Sequence, residues 1–132
     1  MYSSIFDREF VQDAWFSKEA AKRYFQFILY FLDIPQIKLI RIDKDYATDE
    51  NRGFFSLDKN GYPYVIIWRH GWKRKTVHHE IMHYVQYLIE GDNICESDLD
   101  ELLEKEAAVV EEITDPITFK EYVMFRIKYN EI

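Results

Sequence analysis

The residues best suited to chemistry in this chain form the pattern His79-Glu80-x-x-His83. On a helix, side chains four positions apart share one face with Cβ atoms about 5–6 Å apart, so both imidazoles can bind one Zn²⁺. Glu80 can then act as general base towards the metal's bound water, whose pKa zinc lowers to about 7. Chance produces this pattern roughly 0.01 times in a chain of this composition. The pattern therefore indicates a zinc site, with hydrogen-bonded structural histidines as the alternative.

A catalytic zinc site normally takes a third protein ligand, and no histidine follows His83. On the helix predicted over 98–113, Glu106 falls within the apolar stripe, whereas Glu104, Glu111 and Glu112 fall on the far side. The stripe consists of Leu99, Leu103, Val109, Val110 and Ile113. A buried carboxylate needs a partner, which zinc would supply. The alternatives are a salt bridge from Glu106 to Arg or Lys, and an outward-bent side chain.

Two other residues near the motif have the chemistry of metal ligands. Cys95 follows His83 in a predicted loop and competes with Glu106 as the third ligand. His78 points about 100° away from His79 on the helix, so we expect it at the surface or beside the ligands. The residue that would stabilise an oxyanion stays open, because His70 and several tyrosines are available.

The elements that position these residues are those of a small α+β domain. Helical periodicity predicts helices over 5–16, 17–32, 76–89, 98–113 and 115–129, with Ser17 and Asp115 as N-caps. Strands are predicted over 37–42, 54–57 and 62–68, and the turn at 58–61 makes the last two a hairpin. Pro63 lacks a backbone donor, which predicts that the third of these strands starts at a sheet edge.

Length and composition exclude several classes of protein. The chain has 132 residues and 48% hydrophobic residues, which suits a single folded domain over 1–132 and excludes general disorder. A net charge of -7 argues against a protein that coats nucleic acid. One cysteine cannot form an intramolecular disulfide. The N-terminus lacks a signal-peptide pattern and no apolar run could span a membrane, so we expect a soluble cytoplasmic protein.

The helix of His79 and His83, followed by a second helix with Glu106-Ala107-Ala108, resembles the small zincins that use a glutamate as third ligand. The nearest resemblance is to the ImmA/IrrE-type metallo-endopeptidases, which pair an H-E-x-G-H helix with an E-A-N-type helix that ends near a proline. The resemblance covers residues from about 54 to 116. Met82 replaces the family's small residue, Ala108 replaces its polar residue, and Pro116 comes one position early.

This resemblance implies a minimal zincin fold, in which a small three-stranded sheet with an edge substrate strand packs against the HExxH helix. It implies zinc on His79, His83 and Glu106, with Glu80 as the base. The strand Tyr62–Trp68 would be the edge strand that binds an extended peptide by β-addition. The implied function is a zinc-dependent metallo-endopeptidase that hydrolyses peptide bonds in one or a few regulatory proteins.

Two other functions remain open. One is a catalytically silent zincin-fold protein that binds a partner through its acidic surface, since residues 90–115 carry eleven acids against Lys105 alone. The intact Glu80 argues against it, because a purely structural site has no use for that base. The other is a DNA-associated regulator, which the negative charge disfavours. The sequence does not determine the oligomeric state.

Overall fold

The computed structural model of the protein describes residues 15–46, 52–91 and 97–131. Its elements are α1 (Lys18–Phe31), β1 (Lys38–Ile42), β2 (Gly53–Leu57), β3 (Pro63–Trp68), α2 (Arg74–Glu90), α3 (Ser97–Val110) and α4 (Pro116–Glu131). This order of helices and strands confirms the predicted α+β class. The helix predicted over 5–16 falls almost wholly outside the described residues, as does Cys95.

Capping residues mark two helix starts and one helix end, as predicted. The Oγ of Ser17 accepts a hydrogen bond from the Ala20 amide at 3.1 Å and caps α1. The carboxylate of Asp115 accepts one from the Thr118 amide at 2.7 Å at the start of α4. Gly91, with a φ of 64°, ends α2, because glycine adopts positive φ without steric cost.

The three strands form one mixed sheet in the order β1-β3-β2, with β3 parallel to β1 and antiparallel to β2. The prediction that the strand over 62–68 lies at the sheet edge is therefore wrong. Pro63 is the first residue of β3, and pairing with β1 begins only one residue later, where Tyr64 faces Lys38. The missing donor of proline thus costs no hydrogen bond to β1. In the part of the chain that the structure describes, β2 pairs on one side only.

The central element of the packing is α2, which contacts the other three helices and both strands of the hairpin. Ten of its seventeen residues are buried, so its backbone is held from several sides. The core around it joins α1, β3 and α4 through Tyr24, Phe25, Ile28, Leu29, Val65, Ile67, Phe119 and Val123. None of the described helices is long and apolar enough to cross a membrane.

Gly71 joins β3 to α2 and lies against the backbone that leads into β2. A Cβ at this position would lie 2.3 Å from the carbonyl oxygen of Arg52, which itself accepts a hydrogen bond from the Trp68 amide at 3.0 Å. We expect Gly71→Ala to lower the free energy of unfolding by about 3 kcal/mol, because backbone must move. Urea unfolding measures the change.

Gly61 is the matched control for this substitution. It has a φ of +84° and no atom within 4 Å of a Cβ, so Gly61→Ala should cost only about 1 kcal/mol of backbone strain. Equal stability of the two variants would contradict the close approach at Gly71.

Candidate metal centre

Three side chains from two helices converge on one point. The Nε2 atoms of His79 and His83 on α2 lie 3.2 Å apart. The carboxylate of Glu104 on α3 lies 2.8 Å from Nε2 of His83 and 3.5 Å from Nε2 of His79. Tetrahedral zinc with bonds of 2.0–2.1 Å places its ligand atoms about 3.3 Å apart. The three groups could therefore hold one metal ion between them.

The packing of α3 on α2 explains why Glu104 reaches the histidines. Leu103, Ala107 and Val110 form the buried stripe of α3. Glu104 lies on one flank of this stripe, and Glu111 lies seven residues later on the same flank. The side chain of Glu104 remains 55% exposed and lies at the rim of the cluster. The sequence feature that would have included Glu104 is its place at the border of the apolar stripe, rather than within it.

Each histidine also makes a hydrogen bond through its other ring nitrogen. Nδ1 of His79 lies 2.9 Å from the carboxylate of Glu111, and Nδ1 of His83 lies 2.8 Å from Oε1 of Gln86. Partners of this kind orient histidine ligands in metal sites. Glu111 is itself positioned by the buried Arg74, whose guanidinium donates to the carbonyl oxygens of Glu111 and Ile113 at 2.6 and 2.7 Å. The sequence did not identify Glu111, Gln86 or Arg74 as residues that orient the histidines.

Glu106, the predicted third ligand, lies in a different network on the opposite flank of α3. Its carboxylate accepts hydrogen bonds from Nε2 of Gln86 at 2.9 Å, from Nε of Arg126 at 2.7 Å and from the Tyr122 hydroxyl at 2.5 Å. The buried carboxylate thus has the arginine partner that was the alternative to zinc. Of the described residues, Glu104 joins the two histidines and Glu106 does not.

Glu80, the predicted general base, is buried beside this cluster with only 4% of its surface exposed. Its Oε1 has no hydrogen-bond partner among the described residues. Burial raises the pKa of Glu80 to about 7, although the charges of His79 and His83 oppose the rise. A carboxyl group with a pKa near neutrality is well suited to take up and release a proton.

The electrostatic field of the site favours a cation. Burial lowers the pKa of His79, but hydrogen bonds to Glu104 and Glu111 and the charge of Glu80 outweigh it and raise the pKa to about 9. The pKa of His83 is raised by a similar balance. Hydrogen bonds from both histidines hold the pKa of Glu104 well below its usual range. Positive charge between these groups is therefore stabilised.

Comparison with known proteins finds no matching family model, no matching curated protein and no matching solved structure. The case for a metal centre at His79, His83 and Glu104 rests on the geometry of the site itself.

The remaining two histidines lie outside the cluster. His78 is fully buried, in contrast to the surface position that we considered, because α1 and α4 pack on its face of α2. It hydrogen-bonds the Tyr24 hydroxyl and packs on Phe119, and burial lowers its pKa to about 3. His70 lies 3.4 Å from the carboxylate of Asp45 and lines a separate cavity of about 430 Å³. Which residue would stabilise an oxyanion stays open.

Proposed function

We propose that this protein is a zinc-dependent metallo-endopeptidase that uses His79, His83 and Glu104 as ligands and Glu80 as general base. Glu104 thereby replaces Glu106 in the ligand set. The observation that carries the proposal is the convergence of two imidazole Nε2 atoms and a carboxylate at zinc-like spacing, beside a buried carboxyl group. The unpartnered Oε1 of Glu80 disfavours a silent binding protein, because a buried carboxyl group without a partner costs stability.

Each side chain of the site has a distinct role in the proposed hydrolysis. Zinc, when bound, acts as a Lewis acid and lowers the pKa of water. Glu80 accepts the proton of the attacking water and passes it to the leaving amine, and its raised pKa suits both transfers. Glu111 keeps the ring of His79 oriented. The exposed side of Glu104 leaves the site open to a polymeric substrate.

The sheet offers a place for an extended peptide next to Glu80. β2 begins at Gly53, where a Cβ would lie 3.4 Å from Cγ of Glu80. A peptide that pairs by β-addition with the edge of β2 opposite β3 would pass close to the general base. The substrate strand implied by the zincin resemblance is accordingly assigned to β2 in place of β3. This arrangement supports a protein or peptide segment in extended conformation as the substrate.

The purified protein is expected to hold one zinc per chain and to cleave peptides in a chelator-sensitive way. Elemental analysis measures the metal, and a library of quenched fluorescent peptides measures cleavage before chelation, after it and after zinc is restored. We expect one zinc per chain because the two histidines and Glu104 together form one candidate metal site. Absence of zinc after supplementation would refute the metal site. Bound zinc without cleavage of any peptide would support the silent alternative.

A further inference from the structure

A chain of hydrogen bonds runs from α4 to the zinc ligand His83. Arg126 and Tyr122 on α4 donate to Oε2 of Glu106, whose Oε1 accepts from the side-chain amide of Gln86 at 2.9 Å. The Oε1 of Gln86 lies 2.8 Å from Nδ1 of His83. Gln86 is 1% exposed, so solvent does not compete for its amide. The chain therefore connects a helix that carries no ligand to one side of the metal site.

The partners of Gln86 fix which way its amide faces. Its Nε2 lies 2.9 Å from the carbonyl oxygen of Leu103 and 2.9 Å from Oε1 of Glu106, and both of these atoms accept hydrogen bonds. The NH₂ group must therefore point towards them, and Oε1 must point towards His83. Because an amide oxygen only accepts, Nδ1 of His83 must carry the hydrogen. The other ring nitrogen, Nε2, is then left to bind a metal.

We propose that Gln86 and Glu106 are positioning residues that hold His83 in the tautomer required for zinc binding. The inference rests on the metal site of the proposed function and deepens it, because it assigns control of one ligand to residues that do not touch the metal. Glu106 acts indirectly, because its carboxylate helps to keep the side-chain amide of Gln86 from rotating. Arg126 and Tyr122 in turn hold the carboxylate of Glu106 in place.

The two histidine ligands are consequently controlled in different ways. The Nδ1–H of His79 donates to a carboxylate, which has only one possible role in the bond. The Nδ1–H of His83 donates to an amide, which could rotate and present its NH₂ group instead. Only the second arrangement needs further groups to fix it, and these are the Leu103 carbonyl oxygen and the Glu106 carboxylate.

Metal affinity is the first measurement. Gln86→Met keeps the length of the side chain but removes the acceptor, and we expect it to weaken zinc binding by about 10–100-fold in a competition titration with a chromophoric chelator. Tyr84→Phe is the control. Tyr84 lies on another face of α2, and the substitution removes the hydrogen bond that its hydroxyl donates to the Pro35 carbonyl oxygen. Its zinc affinity should equal that of the unsubstituted protein. Equal affinities for all three proteins would overturn the proposal.

The second measurement reports on the tautomer directly. In the cobalt-substituted protein, the Nδ1–H protons of His79 and His83 should give two shifted NMR signals that exchange slowly with solvent. Gln86→Met should remove the His83 signal by fast exchange and leave the His79 signal as an internal reference. A purely structural role for Gln86 would leave both signals in place, and that result would overturn the proposal.

Glu106→Gln tests the remote member of the chain without a change of volume. A glutamine whose oxygen still accepts from Arg126 would turn its NH₂ towards the NH₂ of Gln86, so the amide of Gln86 should rotate away from His83. We expect the His83 signal to be lost and zinc affinity to fall about tenfold. An unchanged His83 signal in this variant would overturn the role of Glu106. If the unsubstituted protein bound no zinc, the proposed function and the inference would both fail.

Discussion

The variant Glu80→Gln is expected to lose peptide cleavage by about 10³-fold while it keeps one zinc per chain. Glutamine has the shape of glutamate but cannot accept the proton of the attacking water. Glu80 is not among the three groups that could hold the metal, so the metal should remain bound in the variant. In chelator the variant should also unfold at the same temperature or higher, because the charge of a buried carboxylate with a raised pKa opposes folding near neutral pH. Cleavage rate, zinc content and melting temperature are the three measurements.

The control for this variant is Glu101→Gln, which removes the same charge from an exposed position on α3. It should keep both zinc and activity. Release of zinc from Glu80→Gln would mean that Glu80 is a ligand, and cleavage at an undiminished rate would mean that another group is the base.

The second large effect is expected for Glu104→Ala, which should weaken zinc binding by more than about 100-fold. Removal of a ligand should cost more than the 10–100-fold typical of residues that only orient ligands. Because zinc bound to the folded state adds to its stability, the variant should also lose the rise in melting temperature that zinc gives the unsubstituted protein. Isothermal titration and thermal unfolding with and without chelator measure the two effects. Glu101→Ala is the matched control on the same helix.

Glu106→Ala tests whether Glu106 is a metal ligand or a residue that stabilises the fold. Arg126 and Glu106 are both largely buried, so loss of the carboxylate removes the closer ion-pair partner of Arg126 and leaves Glu90 at 3.6 Å. We expect a loss of about 2 kcal/mol of unfolding free energy even in chelator. Glu104→Ala should cost much less under the same conditions, because its side chain is half exposed. A greater loss of zinc affinity in Glu106→Ala than in Glu104→Ala would restore Glu106 as the ligand.

The helix termini, the hairpin turn and the approach of His79 to His83 could be predicted from sequence, because each depends on residues that are close together in the chain. Ser17 and Asp115 begin their helices and Gly91 ends one through contacts within a few residues, and the turn at 58–61 closes its hairpin in the same way. His79 and His83 are brought together by helical spacing alone. These features needed no knowledge of how the elements pack.

The proposed third ligand, Glu104, could not be found in this way, because its place beside the histidines depends on how two helices cross. The apolar stripe of α3 shows which face is buried, and Glu106 does lie close to that face. It does not show which flank of the stripe meets His79 and His83, and that flank carries Glu104. The error at Pro63 has a similar cause, since the pairing of β3 with β1 is set by residues far away in sequence.

The strand order also implies an order of assembly. The β2–β3 hairpin pairs residues that are close in sequence, such as Leu57 and Pro63, whereas β1 reaches β3 only after the chain has passed through β2. Contacts between distant segments form more slowly, because closing the longer loop costs more chain entropy. α2 follows the hairpin directly and packs on it. We therefore expect the two histidines and their supporting strands to form one local folding unit, which β1 and α1 join later.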